Sequence, residues 1–351
     1  MRFALPERLS LQKIIQLVLG LLLAVIVLVS SMKTINTGNF SGSQWRNLVV
    51  SGIALGSMYA LIAMGYTLVY GILFIINFAH GEVFMAGGYT AFFVARAFSD
   101  SGFLADNPII SLIVVFAVGM LVSMMIAITL ERVAYRRLRG APRLVPLITA
   151  VGASLFLQNT FRGLYGAQVR AYPEVEVLSG TVSIFGMPVG KLSLLTILLA
   201  AALMFTLFTF ITKTKTGRAM RAVGEDKEIA SLMGIDVDRT IVRTFAIGGL
   251  LAGAAGVLWG LIFQVGFFMG FFPGIKAFTA AVLGGIGNVV GAGLGGLTLG
   301  VLESVAPNLL LTGWDVPSPN QLTDVIAFTV LVFVLIFKPG GILGSDEAEK
   351  V

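Results

Sequence analysis

The sequence predicts an all-α polytopic membrane protein, and its composition and its long apolar segments are the main reasons. Of 351 residues, 57% are hydrophobic and only 12% are charged, with a mean hydropathy of +0.94. A soluble globular domain has about a quarter charged residues. The apolar segments are continuous, whereas a transmembrane β-barrel would show short alternating ones. We therefore expect about 8–10 transmembrane helices.

Segments near the length needed to cross a bilayer, about 20 apolar residues, recur along the chain. They are 11–31, 47–76, 82–98, 109–130, 144–160, 191–212, 244–265, 275–305 and 322–337. Two of them, 47–76 and 275–305, are too long for one simple crossing. The first meets a polar break at 77–80, and the second contains the glycine-rich stretch 284–288. Each predicts a broken helix, a re-entrant pair or two short spans.

The first apolar run, Ile14 to Val29, follows a positively charged N-terminus as in a signal peptide. The run is long, however, and no clear small-x-small cleavage site follows it. We expect a retained helix, so that residues 1–46 form an additional N-terminal transmembrane helix and an outer linker.

The distribution of lysine and arginine predicts how the chain is oriented in the membrane, because cytoplasmic loops of membrane proteins are enriched in both residues. Loops 131–143 and 213–243 are strongly basic and are expected inside, whereas 99–108 and 161–190 show no basic excess and are expected outside. This places the N-terminus in the cytoplasm, and residues 346–351 form a cytoplasmic tail if 275–305 crosses twice. The alternating stretch 175–186 predicts a small outer hairpin.

Several function classes find no support in the sequence. There are no cysteines and a single histidine, His80, so thiol chemistry is excluded and a histidine metal site is not expected. No GxxxxGK[ST] motif is present, so we expect no ATP hydrolysis by this chain. The net charge of +6 is accounted for by basic inner loops rather than nucleic-acid binding. We expect no cofactor or metal to be bound by the chain.

A charged island at 213–243 lies between two long apolar segments, with seven basic and five acidic residues. It predicts two short helices at the cytoplasmic face, the first beginning at Thr216 or Gly217, with a break at Gly224 and an end at Gly234. Three apolar residues are expected to enter a groove on a partner protein: Ala222, Ala230 and Leu232. An ordinary basic inner loop is the alternative.

Polar residues inside apolar sequence mark a candidate substrate pathway, because ionisable groups at membrane depth face a cavity or a partner. These residues are Asn77, His80, Glu82, Asn288 and Glu303. A helix broken at mid-membrane exposes backbone groups for a substrate. The alternatives are a tight cytoplasmic turn at 77–82 and close helix packing at the glycines of 284–296. Lys276 is expected to reach the outer interface.

Four stretches of the sequence form a recognisable set: SGIALGSMYALIAMGYTLVYGILFIINFAHGEVFMAGGY, TGRAMRAVGEDKEIASLMGID, GIKAFTAAVLGGIGNVVGAGLGG and FKPGGILG. Together they resemble the permease subunits of branched-chain amino acid ABC importers, and in particular the shorter of the two permeases that such systems pair. The signature Asn-Phe-Ala-His-Gly is present at 77–81. The resemblance covers about residues 47–345.

The resemblance implies an ABC importer permease fold for 47–345 and a place in the bacterial inner membrane. The chain would form half of a heterodimeric pore with a second permease. Two cytoplasmic ATP-binding subunits would dock on 213–243, and an extracytoplasmic substrate-binding protein would deliver a leucine, isoleucine, valine or related neutral amino acid. The coupling residues, placed by analogy, are Gly217, Arg218, Arg221, Ala222, Glu225, Ala230 and Gly234. His80 would be a structural signature rather than a catalyst.

Two other functions stay open at this point. Importers of urea and short-chain amides have closely similar permeases. A stand-alone secondary transporter or channel is more remote, because it needs a relay of intramembrane carboxylates, and only Glu82 and Glu303 qualify. A membrane enzyme would need a nucleophile with a base or a metal cluster, for which the sequence offers little.

Overall fold

In a computed structural model of the chain, residues 11–142, 144–184 and 186–344 are described, and they form a helical bundle. The helices are α1 (Leu11–Thr37), α2 (Gly42–Leu73), α3 (His80–Asp100), α4 (Phe103–Asp106), α5 (Pro108–Leu130), α6 (Leu144–Tyr165), α7 (Lys191–Lys213), α8 (Lys215–Glu225), α9 (Lys227–Leu232), α10 (Val237–Ile262), α11 (Phe271–Gly284), α12 (Val289–Leu311) and α13 (Thr323–Phe337).

Within the described ranges, eight helical stretches are long and apolar enough to cross a membrane. They comprise α1, α2, α5 with its extension, α6, α7, α10, α12 with the turn after it, and α13. The prediction of an all-α polytopic protein with about 8–10 spans is confirmed. α3 and the short α11 complete the bundle.

Four short strands occur among the described residues, and they lie at one end of the bundle, opposite the end that carries α8 and α9. β1 (Arg170–Ala171) pairs with β4 (Gln264–Val265), and β2 (Thr181–Ile184) pairs with β3 (Met187–Gly190), both antiparallel. The predicted hairpin exists, but its strands begin later than expected, at Thr181. We call this end of the bundle the hairpin end.

The predicted loop 131–143 is largely helical, which corrects that boundary. α5 continues into a π-helix (Glu131–Tyr135) and a 3-10 turn (Arg136–Leu138). Helix can continue here because the Glu131 carboxylate, which is fully buried, pairs with Arg139, eight residues further along the chain. An isolated charge at that place would end the helix or turn outward.

α2 and α10 are the most buried of the long helices, whereas α1 and α13 are largely exposed. α2 lies against α12 through glycines. A Cβ at Gly300 would come within 2.2 Å of Gly56 Cα, and one at Gly296 within 2.4 Å of Ala60 Cα. Small residues permit this close approach of two membrane helices. Close packing, the alternative for the 284–296 glycines, is therefore present.

The first predicted break lies between α2 and α3. It begins at the exposed Phe74 and enters the bundle at Asn77, which is buried. α2 ends at Leu73, Phe74 adopts φ 55°, and residues 74–79 are not helical. The His80 side chain then lies beside Gly65, about two helical turns before the end of α2. The chain therefore turns back into the bundle before α3 begins. The tight surface turn is not what forms, since Asn77 is only 3% exposed.

The second break separates α11 from α12, which run antiparallel. Gly285 and Gly287 reverse the chain with φ of 106° and 97°, values that favour glycine. α11 has 14 residues, about 21 Å, which is shorter than a bilayer core of about 30 Å. The segment 275–305 thus contains one short helix and part of one full span, and residues 340–344 pack against the break.

Candidate functional site

α8 and α9 project at the end of the bundle opposite the hairpin end, each with its own N-cap. Thr214 Oγ1 accepts a hydrogen bond from the Gly217 amide (3.0 Å). Asp226 Oδ1 accepts from the Glu228 and Ile229 amides (2.8 and 2.9 Å). The predicted pair of short helices therefore forms. The break is at Asp226 rather than Gly224, because the aspartate caps the second helix.

The inner side of α8 and α9 packs against the chain itself. Gly217 lies against the end of α7, where a Cβ would come within 2.3 Å of Ile211 O. Ala230 is 3% exposed, and Ala222 packs against the core cluster. The expectation that Ala230 enters a partner's groove is therefore wrong, because the chain's own helices already cover it. Ala222 is partly exposed, and its entry into such a groove stays a prediction.

The outer side presents an apolar ridge beside charges. Ile229, Leu232 and Met233 are 59%, 86% and 78% exposed. The exposed coupling residues of the sequence analysis lie on the same two helices: Arg218, Arg221 and Glu225. Gly234 follows with φ 81° and ends the segment. We call these outward residues the α8–α9 surface. Contiguous exposed apolar residues of this kind, outside a membrane span, mark a site of interaction.

Three of the predicted pathway residues lie close together at the start of α3. Asn77 Oδ1 accepts a hydrogen bond from the Tyr135 hydroxyl (2.6 Å). The His80 ring meets the Tyr66 ring edge-on at 4.8 Å between centroids. All three pathway residues here, including Glu82, are almost fully buried.

Glu82 connects α3 to α6. Its Oε1 accepts from Gln158 Nε2 (2.7 Å) and from Ser154 Oγ (3.2 Å). Its Oε2 has no hydrogen-bond partner among the described residues. The sequence analysis missed Ser154 and Gln158. Their four-residue spacing, which places both on one face of a helix, was the available signal.

Glu303 belongs to a different cluster, in which Lys276 of α11 is the central charge. Lys276 Nζ pairs with Glu303 Oε1 of α12 and with Asp324 Oδ1 of α13 (2.7 Å). Lys276 is buried, so the expectation that it reaches the outer interface is wrong. One buried carboxylate (Glu303) and one half-exposed carboxylate (Asp324) replace the water that the buried ammonium would otherwise need.

Asn288 caps α12. Its Oδ1 accepts from the Gly291 amide (3.0 Å) and its Nδ2 donates to Leu343 O (2.9 Å). It lies about 20 Å along the helix from Glu303. The five predicted pathway residues therefore occupy three separate places. In the part of the chain that the structure describes, no group of three or more His, Cys, Asp or Glu could hold a metal.

Comparison with known proteins identifies the family. Residues 48–335 match the family model described as branched-chain amino acid transport system / permease component. The chain is 43% identical to the high-affinity branched-chain amino acid transport system permease protein BraD of Pseudomonas aeruginosa, over 86% of this chain and 97% of BraD. It is 41% identical to the corresponding protein LivH of Escherichia coli, over 86% of this chain and 96% of LivH.

A more distant relative is the autoinducer 2 import system permease protein LsrC of Yersinia pestis, at 31% identity over 54% of each chain. The family match covers most of the chain, and BraD and LivH align over nearly their whole length. The chain therefore belongs to the family of permease components of branched-chain amino acid transport systems.

Proposed function

We propose that this chain forms one half of the translocation pore of an ATP-driven importer for leucine, isoleucine, valine or a related neutral amino acid. The branched-chain amino acid transport systems to which BraD and LivH belong support the substrate class. The proposed place is the bacterial inner membrane, with the N-terminus and the α8–α9 surface in the cytoplasm. The excess of Lys and Arg in 131–143 and 213–243 supports this orientation.

The α8–α9 surface is the observation that carries the proposal. Leu232 and Met233 are the most exposed apolar side chains of this segment, and charged residues surround them. Burying one such side chain contributes about 1.5–3 kcal/mol, which favours a soluble protein partner. We infer that two ATP-binding subunits dock here and hydrolyse ATP, while this chain binds no cofactor itself.

The remaining partners follow from the same arrangement. A second permease subunit would complete the pore, and a substrate-binding protein would engage the hairpin end. ATP-driven movement of the α8–α9 surface can drive transport only if the pore has two states and the ATP-binding subunits make different contacts with each of them. The start of α3 is the proposed element of the pathway, because its break leaves backbone groups and Glu82 inside the bundle.

Uptake of labelled leucine, glutamine and urea tests the proposal, in cells that differ only in this gene. ATP is depleted in one arm while the proton gradient is kept. We expect the gene-dependent leucine uptake to disappear with ATP. If only urea uptake were lost, the assigned substrate would change to urea or short-chain amides. If gene-dependent uptake were the same with and without ATP depletion, the ATP-driven importer would be excluded and a secondary transporter favoured.

A further inference from the structure

A network of four charges joins the end of α5 to the first turn of α10. Arg139 pairs through one nitrogen with Glu131 and through the other with Asp238 Oδ1 (2.5 Å). Arg136 pairs with the second oxygen of Asp238. Two positive and two negative groups balance. Three of them lie within nine residues of the chain, and Asp238 comes 99 residues after Arg139. We call Glu131, Arg136, Arg139 and Asp238 the latch.

One side of the latch is attached to the α8–α9 surface. Asp238 lies in the first turn of α10, and only residues 233–236 separate α9 from that helix. Asp236 caps α10 by accepting from the Arg239 amide (2.9 Å). Partial burial lowers the pKa of the Lys227 ammonium in α9, and the Arg139 charge lowers it further. A displacement of α9 therefore reaches Asp238 through a short, capped connection.

The other side of the latch is attached to the start of α3. Glu131 and Tyr135 belong to the same π-helix, and Tyr135 donates its hydroxyl hydrogen bond to Asn77 (2.6 Å). Tyr135 is 1% exposed and packs on Phe245 with ring centroids 5.7 Å apart. π-helical turns are rare and occur frequently at functional sites.

We propose that Arg139 and Tyr135 are positioning residues that transmit movement of the α8–α9 surface to the start of α3. Glu131 is completely buried, and separating it from Arg139 would leave an uncompensated charge. The ion pair with Glu131 therefore keeps Arg139 attached to the π-helix. When α10 shifts, Asp238 pulls on Arg139 and displaces the π-helix with it. Tyr135 passes the shift to Asn77. This inference rests on the proposed function, since it concerns how ATP hydrolysis is coupled to the pathway.

Two conservative variants test the connection between the α8–α9 surface and the start of α3. Neither of them breaks the buried ion pair of Glu131 with Arg139. Asp238→Asn removes the charge that Arg136 and Arg139 bind and leaves Glu131 with Arg139. Tyr135→Phe removes only the hydroxyl. Each permease is co-purified with its partner subunits and reconstituted in proteoliposomes. We then measure ATP hydrolysed per labelled leucine transported. We expect this ratio to rise about fivefold or more in each variant, with unchanged amounts of assembled complex.

Matched variants separate coupling from folding. Asp238→Glu keeps the charge and should restore the ratio. Asp100→Asn breaks an exposed ion pair with Arg96 at the hairpin end and should leave the ratio unchanged. The double variant should resemble the more severe single one, because both changes interrupt one connection. A ratio equal to wild type in both single variants overturns the inference. A wild-type complex without ATP-dependent leucine transport overturns the proposed function instead.

Discussion

The imidazole of His80 fills the space beside Gly65, and a Cβ at position 65 would come within 2.3 Å of His80 Nε2. This contact seats the start of α3 between α2 and α10, since Gly248 of α10 also faces the ring. His80 is 1% exposed. The single histidine therefore has a packing role in this fold, and its close contact with Gly65 holds the start of α3 inside the bundle.

Gly65→Ala should destabilise the protein, because the added methyl overlaps His80 and the close-packed helices cannot separate freely. We expect a loss of about 1–3 kcal/mol, measured as thermal unfolding of the detergent-purified complex. Gly152→Ala on α6 is the control, since a Cβ there has no neighbour within 4 Å. Equal stability of the two variants would contradict the packing role.

Lys276→Met should be strongly destabilising, because Glu303 would then be buried without its counter-ion and Asp324 would lose its partner. Removing one member of a buried ion pair costs about 3–5 kcal/mol. Thermal unfolding is again the measurement. The double variant Lys276→Met with Glu303→Gln should recover more than half of the loss. A single variant as stable as wild type would exclude the ion cluster as a structural element.

Leu232→Ser should weaken docking of the ATP-binding subunits while leaving the permease folded, because the Leu232 side chain is 86% exposed. Losing about 1.5–3 kcal/mol of burial corresponds to a drop in affinity of at least about tenfold. Co-purification of the ATP-binding subunits measures it. Leu164→Ser, an exposed leucine at the hairpin end, is the control and should retain them.

Substitutions in the proposed substrate pathway should affect transport more than assembly. Glu82→Gln keeps the shape of the side chain and removes its charge, and we expect leucine uptake to fall about tenfold if the charge contributes about 1.4 kcal/mol to passage. Alanine at Asn77 is the second variant at the start of α3. Wild-type uptake in both variants would exclude these two residues from the pathway. The amount of complex in the membrane is the control measurement.

Removal of residues 1–38 tests whether α1 is an addition to the permease domain. α1 is largely exposed and is held by hydrogen bonds such as Trp314 Nε1 to Ser30 Oγ and the Gly313 amide to Thr34 Oγ1, each 2.9 Å. The family match begins at residue 48. We expect the shortened chain to assemble and transport with reduced thermal stability. Failure to assemble would show that α1 belongs to the core of the domain.

Much of the fold could be predicted from the sequence because membrane spans are local. A run of about 20 apolar residues satisfies its own backbone as a helix, so the position of each span follows from composition. The break before His80 and the reversal near Asn288 were also visible as polar residues or glycines inside apolar sequence. The capped α8 and α9 followed from charges and glycines between two spans.

The candidate site depended on contacts that sequence order does not contain. Ala230 and Leu232 are two residues apart, yet one is buried by the chain's own helices and the other points outward. Lys276 was expected at an interface, but α12 and α13 bring Glu303 and Asp324 to it.

The sequence by itself therefore determined the class, the helices, their breaks and the exposed charged segment, because local hydropathy and capping decide these. The tertiary structure alone decided which polar groups meet, including Tyr135 with Asn77 and Arg139 with Asp238. A buried polar group must find a partner, but only the packing of distant helices selects which one.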